Sequence, residues 1–149
     1  MARTVQQWLD EYGESHQNPI NKAIHWICVP LIMISLIGLL WPVDITSNIN
    51  LGVSIIVLAT IYYLSISFKM FLGMAIVGFG IVSCVQYLDT FTSPLWQISL
   101  SIFVLAWIGQ FIGHKIEGKK PSFFEDIQFL LIGPMWLLSF IYNKVGIKY

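Results

Sequence analysis

Three histidines and one carboxylate carry the chemistry this sequence offers. His16 and His25 lie in Ser15-His16-Gln17-Asn18-Pro19-Ile20-Asn21-Lys22-Ala23-Ile24-His25-Trp26, and His114 lies in Gln110-Phe111-Ile112-Gly113-His114-Lys115-Ile116-Glu117. Imidazoles plus a carboxylate, with positions left open, form the ligand set of non-haem iron and of zinc. Asn21 precedes His25 by one helical turn, so both side chains project from one helix face. Gln110, His114 and Glu117 share a face in the same way if a helix continues through them. Asn or Glu groups on the non-ligating ring nitrogens would fix the tautomers. Each histidine also has a plainer reading: His16 as a solvated or capped polar residue, His25 and His114 as residues with separate hydrogen bonds. Spacing alone leaves both readings open.

The elements that must position these residues follow from composition. Of 149 residues, 56% are hydrophobic and 11% charged, with mean hydropathy +0.74. A soluble domain carries about a quarter of its residues as charges. The expectation is an all-α, polytopic membrane helix bundle in one domain, 1–149, long enough for four or five spans of about 20 residues. A net charge of zero and the lack of a basic run give no sign of a nucleic-acid partner. No secretory signal is expected, because the first apolar run starts near Ile24 and lacks a small-residue cleavage site.

In chain order, Val5, Trp8, Leu9 and Tyr12 form one apolar stripe on a short helix with Thr4 as its cap. That helix should lie in the membrane interface or pack on the bundle. Asn18 fits the cap and Pro19 the first turn of the next helix. The expected spans are 24–41, 51–68, 70–88 and 95–113, followed by a charged loop, 114–126. In the third span, Gly73, Val77, Gly80 and Cys84 make a small-residue face suited to close helix contact. A last apolar segment, 127–142, is interrupted by Gly133-Pro134 and is short for a full crossing, so it should be re-entrant or kinked. Cys28 and Cys84 fall at different depths and read as unpaired packing residues. Trp26, Trp41, Trp96 and Trp136 read as interfacial belt residues, and Lys115, Lys119 and Lys120 as a charge band facing anionic lipid.

Positive charge orients the bundle. With four full spans, the leader, the loop at Lys69 and the loop after His114 share one side, and loops 42–50 and 89–94 contain no Lys or Arg. The lysine side is then cytoplasmic. A final segment that returns keeps Lys144 and Lys148 on it too. This topology puts all three histidines at one membrane face.

The stretch His16-Gln17-Asn18-Pro19 with Asn21, His25 and Pro30 resembles the first signature of the 2-hydroxy fatty acid dioxygenase family. Trp107-Ile108-Gly109-Gln110-Phe111-Ile112-Gly113-His114 with Glu117, Pro121 and Pro134 resembles its second. The two signatures cover roughly the first and last thirds of the chain, and the middle spans match only as hydrophobic segments. A histidine that some members carry near the end of the third span has no counterpart in Gln86-Tyr87-Leu88-Asp89, and Ser122 stands where the family often has Ala.

The resemblance implies an Fe(II)-dependent membrane enzyme of fatty acid α-oxidation that converts a 2-hydroxy fatty acid and O₂ to the acid one carbon shorter. It implies His16, His25 and His114 as iron ligands and Glu117 as a fourth ligand or a supporting base. Asn18 and Asn21 would orient the histidines or bind the substrate carboxylate, Lys115 would neutralise that carboxylate, and Gln110 would contribute to substrate binding. Membrane lipids surround such a protein, in a bacterial inner membrane or the endoplasmic reticulum, with its site on the cytoplasmic side. Two other classes stay open: a non-catalytic haem- or metal-binding membrane subunit, and a structural or transport bundle in which the histidines are incidental.

Overall fold

Local signals set most element boundaries in the computed structural model, which describes residues 3–120 and 128–149. Helix α1 (Val5–Glu14) opens on a capping box: the Thr4 hydroxyl accepts from the Gln7 N–H, and the Gln7 side chain accepts from the Thr4 N–H. Helix α2 (Pro19–Leu40) cannot begin earlier, because proline disfavours helical geometry at the residue before it. Asn18 is accordingly extended (φ −67°, ψ 127°), and its side chain accepts from the Ile20 N–H at 2.9 Å. A short hairpin of β1 (Asp44–Thr46) and β2 (Ile49–Asn50) occupies the expected polar loop.

Helix α3 (Leu51–Ile66) stops two residues before the expected end of its span. Ser67 turns extended (φ −160°, ψ 129°) and caps α4 (Phe68–Asp89) by accepting from the Met70 N–H. Helix α5 (Leu95–Glu117) runs beyond the expected boundary at Gly113, so His114 to Glu117 form its last turn and not a loop. Gly118 ends it in the left-handed region (φ 75°), where glycine carries no Cβ penalty. The loop from Pro121 onward, including Ser122, lies outside the described residues.

Helices α2 and α5 pack antiparallel through small residues. Gly38 faces Ser99 at one end, Gly109 faces Cys28 in the middle, and Gly113 faces Asn21 at the other end. A Cβ on Gly109 would sit 2.6 Å from Cys28 Sγ, and one on Gly113 would collide with Asn21 Oδ1. Glycines four apart let two helix backbones approach closely. This register places His25 beside His114. On α4 the small-residue face differs from the expected one: Gly73 and Gly78 are buried, whereas Gly80 is exposed with nothing near it.

Helix α6 (Phe129–Val145) continues through Gly133-Pro134 and is not a hairpin. Both of its ends nonetheless meet the end of the bundle where α3 gives way to α4. The Tyr63 hydroxyl donates to the Leu131 carbonyl (2.7 Å), and the Tyr142 hydroxyl donates to the Lys69 carbonyl (2.6 Å). The Lys69 ammonium donates to the carbonyl of Lys148, holding the C-terminal tail there as well. Helix α1 packs on α6 through its apolar stripe, with Trp8 edge-on to Phe129 and Tyr12 against Trp136.

Among the described residues three helices, α2, α4 and α5, are long and apolar enough to cross a membrane; α3 and α6 are apolar but shorter, at 16 and 17 residues. Large apolar side chains point outward along the bundle: Ile76 and Phe79 are 74% and 75% exposed. Helices with apolar residues all round suit a lipid surround. Cys28 and Cys84 are unpaired, as expected.

Candidate metal centre

The three histidines meet. His16 follows the last turn of α1, His25 lies in the second turn of α2, and His114 lies in the last turn of α5. All are buried, and each offers a ring nitrogen within 4.8 Å of the other two. The His25 and His114 ring centroids are 5.0 Å apart, and His16 stands 4.3 Å from His25 and 5.0 Å from His114.

Hydrogen bonds fix which nitrogens of two of these rings face inward. His16 Nδ1 lies 2.6 Å from the Tyr12 carbonyl, and His25 Nδ1 lies 2.9 Å from the Asn21 carbonyl. A carbonyl only accepts, so both Nδ1 atoms donate, and in the neutral rings both Nε2 atoms carry lone pairs. Those two Nε2 atoms are 2.9 Å apart. Two lone pairs at that distance repel unless a proton or a cation lies between them. The proton is disfavoured: burial, followed by the neighbouring His25, pushes the His16 pKa down to about 3. His114 Nδ1 is buried without a hydrogen-bond partner. A metal ion satisfies all three nitrogens. Two nitrogens bonded to one ion at about 2.1 Å lie no more than about 4.2 Å apart, so any pair near the 4.8 Å limit would draw closer on binding.

Glu117 is the strut that assembles the trio. Its Oε1 accepts from the Gln17 N–H (2.7 Å), and its Oε2 accepts from the Asn18 N–H (2.8 Å) and Asn21 Nδ2 (3.0 Å). The end of α5 thereby clamps the leader that holds His16 to the start of α2. Glu117 is not among the donor atoms clustered around the histidines. Asn21 is fully buried beneath this clamp and also donates to the Ser15 carbonyl. The Asn18 side chain is occupied as the α2 cap, and Lys115 is exposed.

A cavity of about 60 Å³ opens beside His25 and His114. Gln110 lines it, and its side chain is within hydrogen-bonding reach of His25. Its other walls are mainly apolar, and no Lys or Arg among the described residues lines it. Two aromatic walls were not foreseen as part of the site. Tyr12 stacks on His16 at 4.2 Å and lines the cavity, and burial pushes its phenol pKa up. Trp136 is a buried partner of His16 (5.2 Å) and not an interfacial belt residue. In sequence Tyr12 was visible only as part of a packing stripe, and nothing tied Trp136 to a histidine far upstream.

Comparison with known proteins agrees with this geometry. A family described as 2-hydroxy-palmitic acid dioxygenase Mpo1-like matches residues 2–145. The 2-hydroxy-palmitic acid dioxygenase MPO1 of Saccharomyces cerevisiae is 28% identical over 139 residues, covering 91% of this chain and 78% of the yeast protein. No solved structure matches. With all three histidines and both signature stretches inside the matched region, this chain belongs to the Mpo1-like family.

Proposed function

We propose that this protein is a non-haem Fe(II) dioxygenase of the membrane that takes a 2-hydroxy fatty acid and O₂ to the fatty acid one carbon shorter. The observation that carries this reading is the pair of inward Nε2 lone pairs on His16 and His25, 2.9 Å apart and joined by His114. These three residues would hold the ion. Ferrous iron bound there would supply the O₂ chemistry and take the substrate carboxylate and hydroxyl as ligands.

The chain's own groups do the rest. Tyr12 and Asn21 hold the rings of His16 and His25 by their carbonyls, keeping both Nε2 atoms turned inward. Glu117 holds the leader in place. Gln110 is the polar side chain placed to bond the substrate head beside His25. The apolar walls exclude water from the reacting carbons. With no Lys or Arg among the described residues lining the cavity, the ion would offset the substrate carboxylate charge, and the exposed Lys115 stands outside the lining. The overall change, RCH(OH)COOH + O₂ → RCOOH + CO₂ + H₂O, balances without a further reductant. With α2 to α5 read as four passes and the lysine-bearing loops inside, the site would lie at the cytoplasmic face.

A bis-histidine haem fits less well, because His16 packs against both His25 and His114 and fills the space a macrocycle would need. The test is to incubate anaerobically purified, Fe(II)-loaded protein with O₂ and either 2-hydroxypalmitate or palmitate. Pentadecanoic acid from the hydroxy acid alone, without 2-oxoglutarate, is the expected result. Turnover of palmitate, or an absolute need for 2-oxoglutarate, overturns the reading.

A further inference from the structure

We propose that the apolar hollow lined by α2, α3, α4 and α6 holds the substrate's acyl chain, and that its far end sets the chain length accepted. This rests on reading the histidine cavity as the site of the acid head. A second hollow adjoins that cavity. Met33, Leu130 and Pro134 line the cavity and also line this second hollow, of about 360 Å³, deeper in the bundle. The two spaces are therefore adjacent, with these three side chains as their common wall, and a shift of the flexible Met33 side chain would join them.

The second hollow is chemically suited to hydrocarbon. Its polar side chains are Thr60, Tyr63 and Gln128; Thr60 donates to the Ile56 carbonyl and Tyr63 to the Leu131 carbonyl, each at 2.7 Å, and Gln128 is also engaged with a neighbour. A headgroup or a peptide would find little to bond there, whereas a saturated chain gives up no hydrogen bonds on entering. The dimensions agree as well. Ile37, Ile55 and Ile81 close the end remote from the histidines. Along α2 a rise of about 1.5 Å per residue puts Ile37 roughly 18 Å from His25. An extended carbon chain advances about 1.3 Å per bond, as the spacing of successive Cα atoms implies, so about 14 carbons span that distance.

Photolabelling and substrate selection test the chamber separately from the reaction. Palmitic acid carrying a terminal diazirine, irradiated with the whole protein in detergent or nanodiscs, should label residues around Ile55 or Ile81. Label confined to outward residues such as Ile76 and Phe79 overturns the chamber. If wild-type protein turns over no 2-hydroxy acid but the label still lands inside, the proposed reaction fails and the chamber stands. Active protein labelled only outside overturns the chamber and leaves the reaction standing. Ala59→Phe, which places a ring in the hollow, should cut turnover of 2-hydroxypalmitate about tenfold or more relative to 2-hydroxyoctanoate. Ile81→Ala removes bulk and should extend the accepted length; an unchanged preference in that variant overturns the length-setting role.

Discussion

His16 and His25 are each held by a backbone carbonyl that leaves one ring nitrogen free, and this governs what substitutions at the site should do. His25→Ala or His114→Ala should abolish iron binding and turnover while the protein still inserts, because the bundle is held by apolar surface and close backbone packing. Metal analysis of the purified variants checks this, and full iron content in either would remove the site. Glu117→Gln keeps the shape of the strut but turns one accepting oxygen into a donor that faces N–H groups. Iron affinity should fall about 10–100-fold, as for groups that orient ligands without binding metal. Acid should act through His16. Its folded pKa lies below the ordinary 6.5, so its neutral form is favoured by folding, and that contribution is complete above about pH 6.5 and lost as pH falls towards 3. Metal-free protein should therefore lose thermal stability across that window, and His16→Asn should lose less; thermal melts at stepped pH read this out.

Among the elements, the pairing of α2 with α5 decides whether the site exists. Gly109 and Gly113 let the two backbones approach so that Asn21 and His25 sit against the turn bearing His114. Gly109→Val should destabilise the protein by about 1–3 kcal/mol, the usual cost of overpacking, and should lower iron content in the fraction that remains folded. Thermal melts with metal analysis test both. Helix α1 is the second positioning element. Its stripe was legible as amphipathic, yet its function is to lie on α6 and bring His16 between Tyr12 and Trp136.

For the whole molecule, both ends of α6 and the C-terminal tail attach where α3 turns into α4, the end that also carries α1 and the histidines. The termini should therefore face the same side of the membrane. Single cysteines at Gln6 and Ile147, in a background without Cys28 and Cys84, should react with an impermeant maleimide from one side, and a cysteine at Asn48 from the other. Labelling of position 147 together with position 48 would mean that α6 crosses.

The sequence by itself determined the all-helical, strongly apolar class, the start of α2, the cap of α1 and the three histidines as the residues to watch. These depend on composition, on proline and capping chemistry, and on residue type, all of which act locally. Local reading failed where the decisive contact is distant. The end of α5 looked like a charged loop because Lys115 and Glu117 are polar, but Glu117 is tied to the backbone of Gln17 and Asn18, and Gly118 closes the helix. Gly133-Pro134 looked like a break, yet the helix continues across it, held among α1, α3 and α4. Residue types named the imidazoles; only the tertiary structure turned two Nε2 lone pairs towards each other, because the carbonyls that fix the tautomers and the glycines that set the approach belong to three different helices.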